Sequence, residues 1–200
     1  MTTKIFLLRH GITLANLENR FAGRSDEPLH PEGISQIKEL GARLREEKIG
    51  SIYAGPLTRT RQTAELLSAM LGVPHASMDD FNEIDIPHWD GLTKDEIREQ
   101  FGPEYPAWLD SPADFRLAGC ETLSAVQERA VQGIEKIIAN SSEENALIVS
   151  HLIVIRSLIL HYYDLPLTQF RSITVKNGAL ISLERKSDGE TIVLNIKEHV

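Results

Sequence analysis

Two histidines and a few arginines are the residues most able to do chemistry in this chain. His10 directly follows Arg9, and His151 follows the apolar run Ala146-Leu147-Ile148-Val149 by one serine. Between them lies Gly55-Pro56-Leu57-Thr58-Arg59-Thr60-Arg61. A guanidinium is a planar fork of donors matched to phosphate or carboxylate oxygens. Several guanidiniums in one cleft make an anion site, and Asn16 could add an amide donor. A neutral imidazole is also a nucleophile, and attack on phosphorus splits one hard hydrolysis into two easier steps. If the arginines carry the charge on the phosphoryl oxygens, no metal is required. The leaving oxygen then needs a proton. Glu83 is a candidate acid, although spacing alone does not separate it from Asp79, Asp80 or Asp85. Each residue also has a plainer reading: a hydrogen-bonded structural histidine, solvated helix arginines, a surface glutamate.

The elements around these residues decide between the two readings. Ile5–Leu8 reads as a buried strand that ends at Arg9-His10-Gly11. Ile34, Ile37, Leu40 and Leu44 recur at helical spacing after Pro31-Glu32, which suit a first turn. Ser51–Ala54 is a second strand. A helix bearing Ala64, Leu67 and Leu71 follows it and is stopped by Gly72 and Pro74. From about 78 to 119 the periodicity loosens, and both tryptophans fall here with Pro87, Pro103, Pro106 and Pro112. This stretch is expected to form a cap-like excursion with short helices. Thr122–Ala139 is helical, Ala146–Val149 is a strand, and a helix runs on to about Tyr163. Strands are expected at Ile173–Val175, Ala179–Glu184 and Thr191–Ile196, with the turn Ser187-Asp188-Gly189 joining the last two.

Alternating strands and helices predict an α/β fold, a mainly parallel sheet covered on both faces. Parallel strands place their C-terminal ends on one edge, where ligands bind. His10, Arg59 and His151 would then meet in one crevice.

Composition narrows the function further. The 200 residues fit one domain, and 42% of them are apolar, enough for a core. Lys and Arg number 21 against 29 Asp and Glu, a net charge of −8 that argues against nucleic acid as a partner. The single cysteine, Cys120, excludes an internal disulfide and a thiolate zinc site. The start Met1-Thr2-Thr3-Lys4 lacks an apolar signal core, and no run is long enough to span a bilayer. A cytoplasmic protein with no membrane partner is expected. A homodimer through the sheet edge is compatible with the sequence but is argued by no residue.

Leu8-Arg9-His10-Gly11 with Thr13 and Asn16 resembles the signature of the histidine phosphatase superfamily, phosphoglycerate mutase-like branch. Further segments agree in order: Arg20-Phe21-Ala22-Gly23, Asp26–Leu29 with Gly33, Leu57-Thr58-Arg59 through Thr63-Ala64, Asn82-Glu83 with His88–Gly91, and Val149-Ser150-His151. The match covers about residues 4 to 160. It implies a three-layer α/β/α sandwich over 1–200 with His10 as the phosphorylated nucleophile. Arg9, Arg59 and His151 would form the phosphate pocket, with Asn16 as a further donor. Glu83 would be the proton donor and then the base for water. Thr13, Gly23 and Leu152 fall at positions expected to line the substrate. Ile12 stands where the family usually has Glu or Gln, Leu152 where it has Gly, and Cys120 where a glycine commonly precedes Glu-Thr. These departures touch substrate choice more than chemistry.

The resemblance implies hydrolysis of a small phosphorylated metabolite with no cofactor. Dedicated mutases of the family are longer and close the site with an extra insertion, which makes a phosphoglycerate mutase the second reading. A non-catalytic phosphate or phosphoprotein binder is the alternative of another class; it would need the arginines but no acid.

Overall fold

A computed structural model describes residues 4–140, 145–185 and 192–194. β1 (Lys4–Arg9) alternates its side chains: Ile5 and Leu7 enter one apolar core, Phe6 and Leu8 the other. β4 (Asn145–Ser150) does the same with Ala146 and Ile148 against Leu147 and Val149. Strands buried on both faces read as unbroken apolar runs, which is why these two are plain in the sequence.

The sheet has six strands in the order β3-β2-β4-β1-β5-β6. Here β2 is Ile49–Ala54, β3 is His75–Ser77, β5 is Leu180–Arg185 and β6 is Ile192–Leu194. The pairs β1/β4, β4/β2 and β2/β3 are parallel, whereas β5 runs antiparallel to β1 and β6 antiparallel to β5. α1 is the short turn Leu14–Leu17. α2 (Pro31–Leu44) and α3 (Thr58–Leu71) cover one face. α6 (Leu123–Asn140) and α7 (Leu152–Tyr162) cover the other. The expected three-layer sandwich is present.

One expectation needs correction. Ile173–Val175 is not a strand; it is irregular chain after the 3₁₀ turn Leu167–Ser172. The β1 edge is taken by β5, with Leu8 opposite Leu180 and the Arg9 N–H donating to the Ala179 carbonyl at 3.1 Å. Conversely, β3 was not foreseen. It is three exposed residues on the sheet edge, where no apolar alternation is required. The expected turn 187–189 lies outside the described residues.

The excursion from 78 to 119 contains α4 (Lys94–Phe101) and α5 (Glu104–Asp110). Thr93 caps α4: its hydroxyl accepts from the Glu96 N–H while the Glu96 carboxylate accepts from the Thr93 N–H. An aromatic nest holds the excursion down. Trp89 is fully buried and meets Phe21, Tyr105, Trp108 and Phe115 at ring distances of 5.3 to 6.4 Å. Among the described residues no helix is long and apolar enough to cross a membrane.

Candidate active site

Register places the reactive residues. Arg9 pairs with Ser150 and Ala54 with Val149, so β1, β2 and β4 end level. The next residues on these strands are His10, Gly55 and His151. The His10 N–H donates to the Ser150 carbonyl and the Gly55 N–H to the Val149 carbonyl, both at 3.0 Å. The His10 and His151 rings stand edge to face, 5.2 Å between centroids. Glycine at 55 leaves room for the His151 ring and the Phe81 carbonyl. A Cβ there would lie 3.1 Å from His151 Nε2 and 2.6 Å from the Phe81 carbonyl oxygen.

His10 is 3% exposed, and its Nδ1 lies 2.8 Å from the Gly11 carbonyl oxygen. A carbonyl only accepts, so Nδ1 carries the hydrogen and Nε2 presents its lone pair. Burial first, then the charges of Arg59 and Arg9, hold the imidazole pKa well below its usual 6.5. His151 is fully buried and is pushed the same way by burial, Arg59 and His10. Neither nitrogen of its ring has a hydrogen-bond partner among the described residues.

Arg59 opens α3 and is 1% exposed. Its two Nη groups donate to the Ser25 and Gly23 carbonyls at 2.7 and 2.6 Å, which leaves the buried Nε unpartnered. Arg9 follows the same pattern. Its Nη1 donates to the Val175 carbonyl at 2.7 Å, its Nε is buried and unpartnered, and burial pushes its pKa down to about 10. Buried donors are normally satisfied. Here Arg9 Nε, Arg59 Nε and both ring nitrogens of His151 are buried without a partner, and the His151 ring stands against that of His10. That arrangement suits a multiply charged oxyanion.

Glu83 is 8% exposed. Burial raises its pKa despite an N–H donated by Ile84 and the nearby charges of Arg59, Arg129 and Arg9. The carboxyl therefore holds its proton to higher pH than an ordinary glutamate.

The remaining expected residues fall around this centre. Asn16 Oδ1 accepts from the Thr13 N–H at 3.1 Å and from Asn177 Nδ2 at 2.8 Å. Thr13 is fully buried, and its hydroxyl donates to Glu27 at 2.5 Å. It therefore supports the loop rather than offering a donor to substrate. Gly23, at φ +47°, gives its carbonyl to Arg59, and a Cβ there would lie 1.7 Å from Asp90 Oδ1. Leu152 is half-buried at the start of α7, packed against the core that lines that face. Arg61 is exposed and bonds Thr58, away from the centre.

Sequence reasoning missed the supports. Arg129 on α6 donates to the carbonyls of Asp80, Asn82 and Glu83 and makes a forked pair with Glu121 at 2.7 and 3.0 Å. Arg24 Nε donates to the Glu83 carbonyl at 2.9 Å. Asn177 ties the His10 carbonyl to Asn16. The one available signal was a basic residue beside the apolar stripe Val126, Ala130, Gly133 of α6, and that pattern is common on ordinary helices.

The profile of the Histidine phosphatase superfamily (branch 1) matches residues 5–197. The chain belongs to this superfamily. Phosphoserine phosphatase 1 of Hydrogenobacter thermophilus is 26% identical over 98% of this chain and 94% of its own length. The uncharacterized phosphatase PhoE of Bacillus subtilis is 31% identical over 78% and 76% respectively. Bacillus stearothermophilus YhfR superposes with a TM-score of 0.93 at 29% identity, covering 99% of this chain and 98% of its own. The histidine phosphatase described here is an enzyme of that class with phosphatase activity, and its relatives are named for small phosphorylated metabolites.

Proposed function

We propose that this histidine phosphatase hydrolyses phosphomonoesters of small metabolites through a phosphohistidine on His10. Nε2 of His10 attacks phosphorus, and the bond from phosphorus to the ester oxygen breaks. Glu83 gives its proton to the departing alkoxide, so the alcohol leaves neutral. The resulting Glu83 carboxylate then takes a proton from water, and the water oxygen attacks the phosphohistidine. Nε2 leaves, free phosphate forms and Glu83 is protonated again. Arg9, Arg59, His151 and Asn16 donate to the phosphoryl oxygens throughout, with most force where charge builds in the transition state.

The observation that carries this reading is the set of buried, unpartnered nitrogens on Arg9, Arg59 and His151, with the His151 ring against that of His10, whose Nδ1 is held by the Gly11 carbonyl. A mere phosphate binder would use those donors but has no need of a buried, proton-holding Glu83. Gly23 serves by orienting Arg59, and the 78–119 excursion acts as a cap on a single domain spanning 1–200. The compartment proposed is the cytoplasm.

The test pairs kinetics with mass spectrometry. His10→Ala should reduce p-nitrophenyl phosphate hydrolysis by about 10³-fold or more. Wild-type enzyme quenched during turnover should carry one acid-labile phosphoryl group on His10. Residual hydrolysis near wild type in the variant, or phosphate bound without any adduct or product, refutes the proposal. An arm with 3-phosphoglycerate reads isomerisation against phosphate release.

A further inference from the structure

Glu121 takes no part in the steps above, yet it stands where three segments meet. Its Oε1 accepts from Arg129 Nε on α6 at 2.7 Å. Its Oε2 accepts from Arg129 Nη2 at 3.0 Å, from the Asp85 N–H at 3.2 Å and, at 3.3 Å, from Arg24 Nη2 in the loop between α1 and α2. The bond with Asp85 is returned: the Glu121 N–H donates to the Asp85 carbonyl at 2.8 Å. The chain that leaves Glu83 for the excursion is thereby tied to the chain coming back, two residues beyond the acid.

The guanidiniums that Glu121 holds converge on the acid's own backbone. The Glu83 carbonyl accepts from Arg24 Nε at 2.9 Å and from Arg129 Nη2 at 3.3 Å. Arg129 Nη1 also donates to the carbonyls of Asn82 and Asp80, at 2.7 and 2.9 Å. The Ile84 N–H donates to Glu83 Oε1 at 3.0 Å, so the placement of the carboxyl follows the placement of that backbone. Hydrogen bonds to a charged fork are strong and directional. They carry a cost here, because a cation beside a carboxyl favours its ionised form. Arg59, Arg129 and Arg9 all act on Glu83 in that sense. Arg24 and Arg129 are matched by two carboxylates, Glu121 and Asp85, the latter 3.2 Å from Arg24 Nη1. The clamp therefore grips the acid without adding net positive charge beside it.

We propose that Glu121 is a positioning residue for the general acid, holding Arg24 and Arg129 on the Glu83 backbone and so fixing where its carboxyl meets the leaving oxygen. This rests on the phosphatase reading above, with Glu83 as its acid.

The test uses phenyl phosphate and p-nitrophenyl phosphate, which differ in the acidity of the departing phenol. The readout is kcat/KM on each, with Tm measured on the same preparations. Glu121→Gln keeps the size of the side chain and removes its charge. Phenyl phosphate should then fall about tenfold further than p-nitrophenyl phosphate, as fits an acid displaced by a fraction of an ångström. In a Glu83→Gln background the same change should add nothing to that ratio, because the group it positions is gone. Arg129→Gln should also move the alkaline limb of the phenyl phosphate profile to higher pH, since a cation favouring the carboxylate is removed. Arg129→Lys keeps the charge but not the fork, so it should leave the limb in place and still lose the ratio. Equal losses on both esters, a further change of ratio in the Glu83→Gln background, or a limb unmoved by Arg129→Gln overturns the positioning role and leaves the phosphatase reading standing. Arg24→Gln, at a side chain 33% exposed, should change the ratio in the same direction by about threefold. It keeps the test alive if Glu121→Gln does not fold. No hydrolysis of either ester by the wild-type enzyme, or an unchanged ratio in Glu83→Gln alone, would instead sink the reading on which this inference rests.

Discussion

Adding one methyl group at Gly55 tests how tightly the three strand ends are fitted together. In Gly55→Ala the new Cβ would lie 2.6 Å from the Phe81 carbonyl oxygen and 3.1 Å from His151 Nε2. Ordinary contact requires the Phe81 carbonyl to retreat by about 0.8 Å. That carbonyl is not a free end. It accepts from Ser150 Oγ at 2.8 Å, and Arg129 grips the carbonyls of Asp80 and Asn82 on either side. The strain must therefore spread along the Phe81–Glu83 segment or tilt the His151 ring. Overpacking of this kind costs about 1 to 3 kcal/mol, and for a chain of this length each kcal/mol lowers Tm by about 2 to 4 °C. The kinetic effect should be larger, because a displacement near 1 Å at a reacting geometry costs about 10²-fold. The assay is kcat/KM on p-nitrophenyl phosphate well below the variant's Tm, with Tm measured on the same preparation. A variant within threefold of wild type and unchanged in Tm would refute the claim that these strand ends are mutually fixed.

The other predictions concern protons. Glu83→Gln should slow esters of poorly acidic alcohols by about 10²-fold or more and p-nitrophenyl phosphate much less, since nitrophenolate leaves without a proton; equal losses on both would contradict the acid role. The kcat/KM profile, corrected for the second ionisation of the substrate near about 6, should be a bell. Its acid limb reports His10 below 6.5, its alkaline limb reports Glu83 above 4.5, and Glu83→Gln should abolish only the alkaline limb. Asp90 is half-buried, and burial raises its pKa from 3.8 to about 6. Its contribution to stability is complete below pH 3.8 and is lost as pH rises through about 6. Asp90→Asn should therefore raise stability at pH 8 by about 1 kcal/mol, a value reduced for solvent screening, and the gain should vanish in denaturant melts near pH 4.

How much of this was readable beforehand depends on whether the signal was local. β1 and β4 were plain because burial on both faces demands consecutive apolar residues, and each run ends in a histidine. α2 and α3 were plain because one apolar stripe repeats at helical spacing and Gly72 closes α3 in the left-handed region at φ +72°. β3 left no trace, since three exposed edge residues need no pattern. Ile173–Val175 misled because β propensity says nothing about whether a sheet edge is free to receive the segment. The partner of the Thr13 hydroxyl was not legible either, since it is Glu27, fourteen residues on. Glu83 could not be separated from its acidic neighbours by spacing. Its distinction is its burial, together with the carbonyl bonds from Arg24 and Arg129 that hold it, and both supports come from distant segments.

Burial sets the electrostatics of the pocket more than any single charge pair. Arg9 and Arg59 should lower the pKa of Glu83 as they lower that of His10, yet Glu83 rises. Desolvation outweighs the arginines at the carboxyl and reinforces them at the imidazole. The same burial therefore favours both states that the proposed first step needs, a neutral His10 and a protonated Glu83. An incoming phosphoryl dianion opposes the arginine charges that depress His151, so its ring gains affinity for a proton as the anion arrives. On the proposed reading, His151 would serve as a donor to the bound anion, and both of its ring nitrogens are buried without a partner.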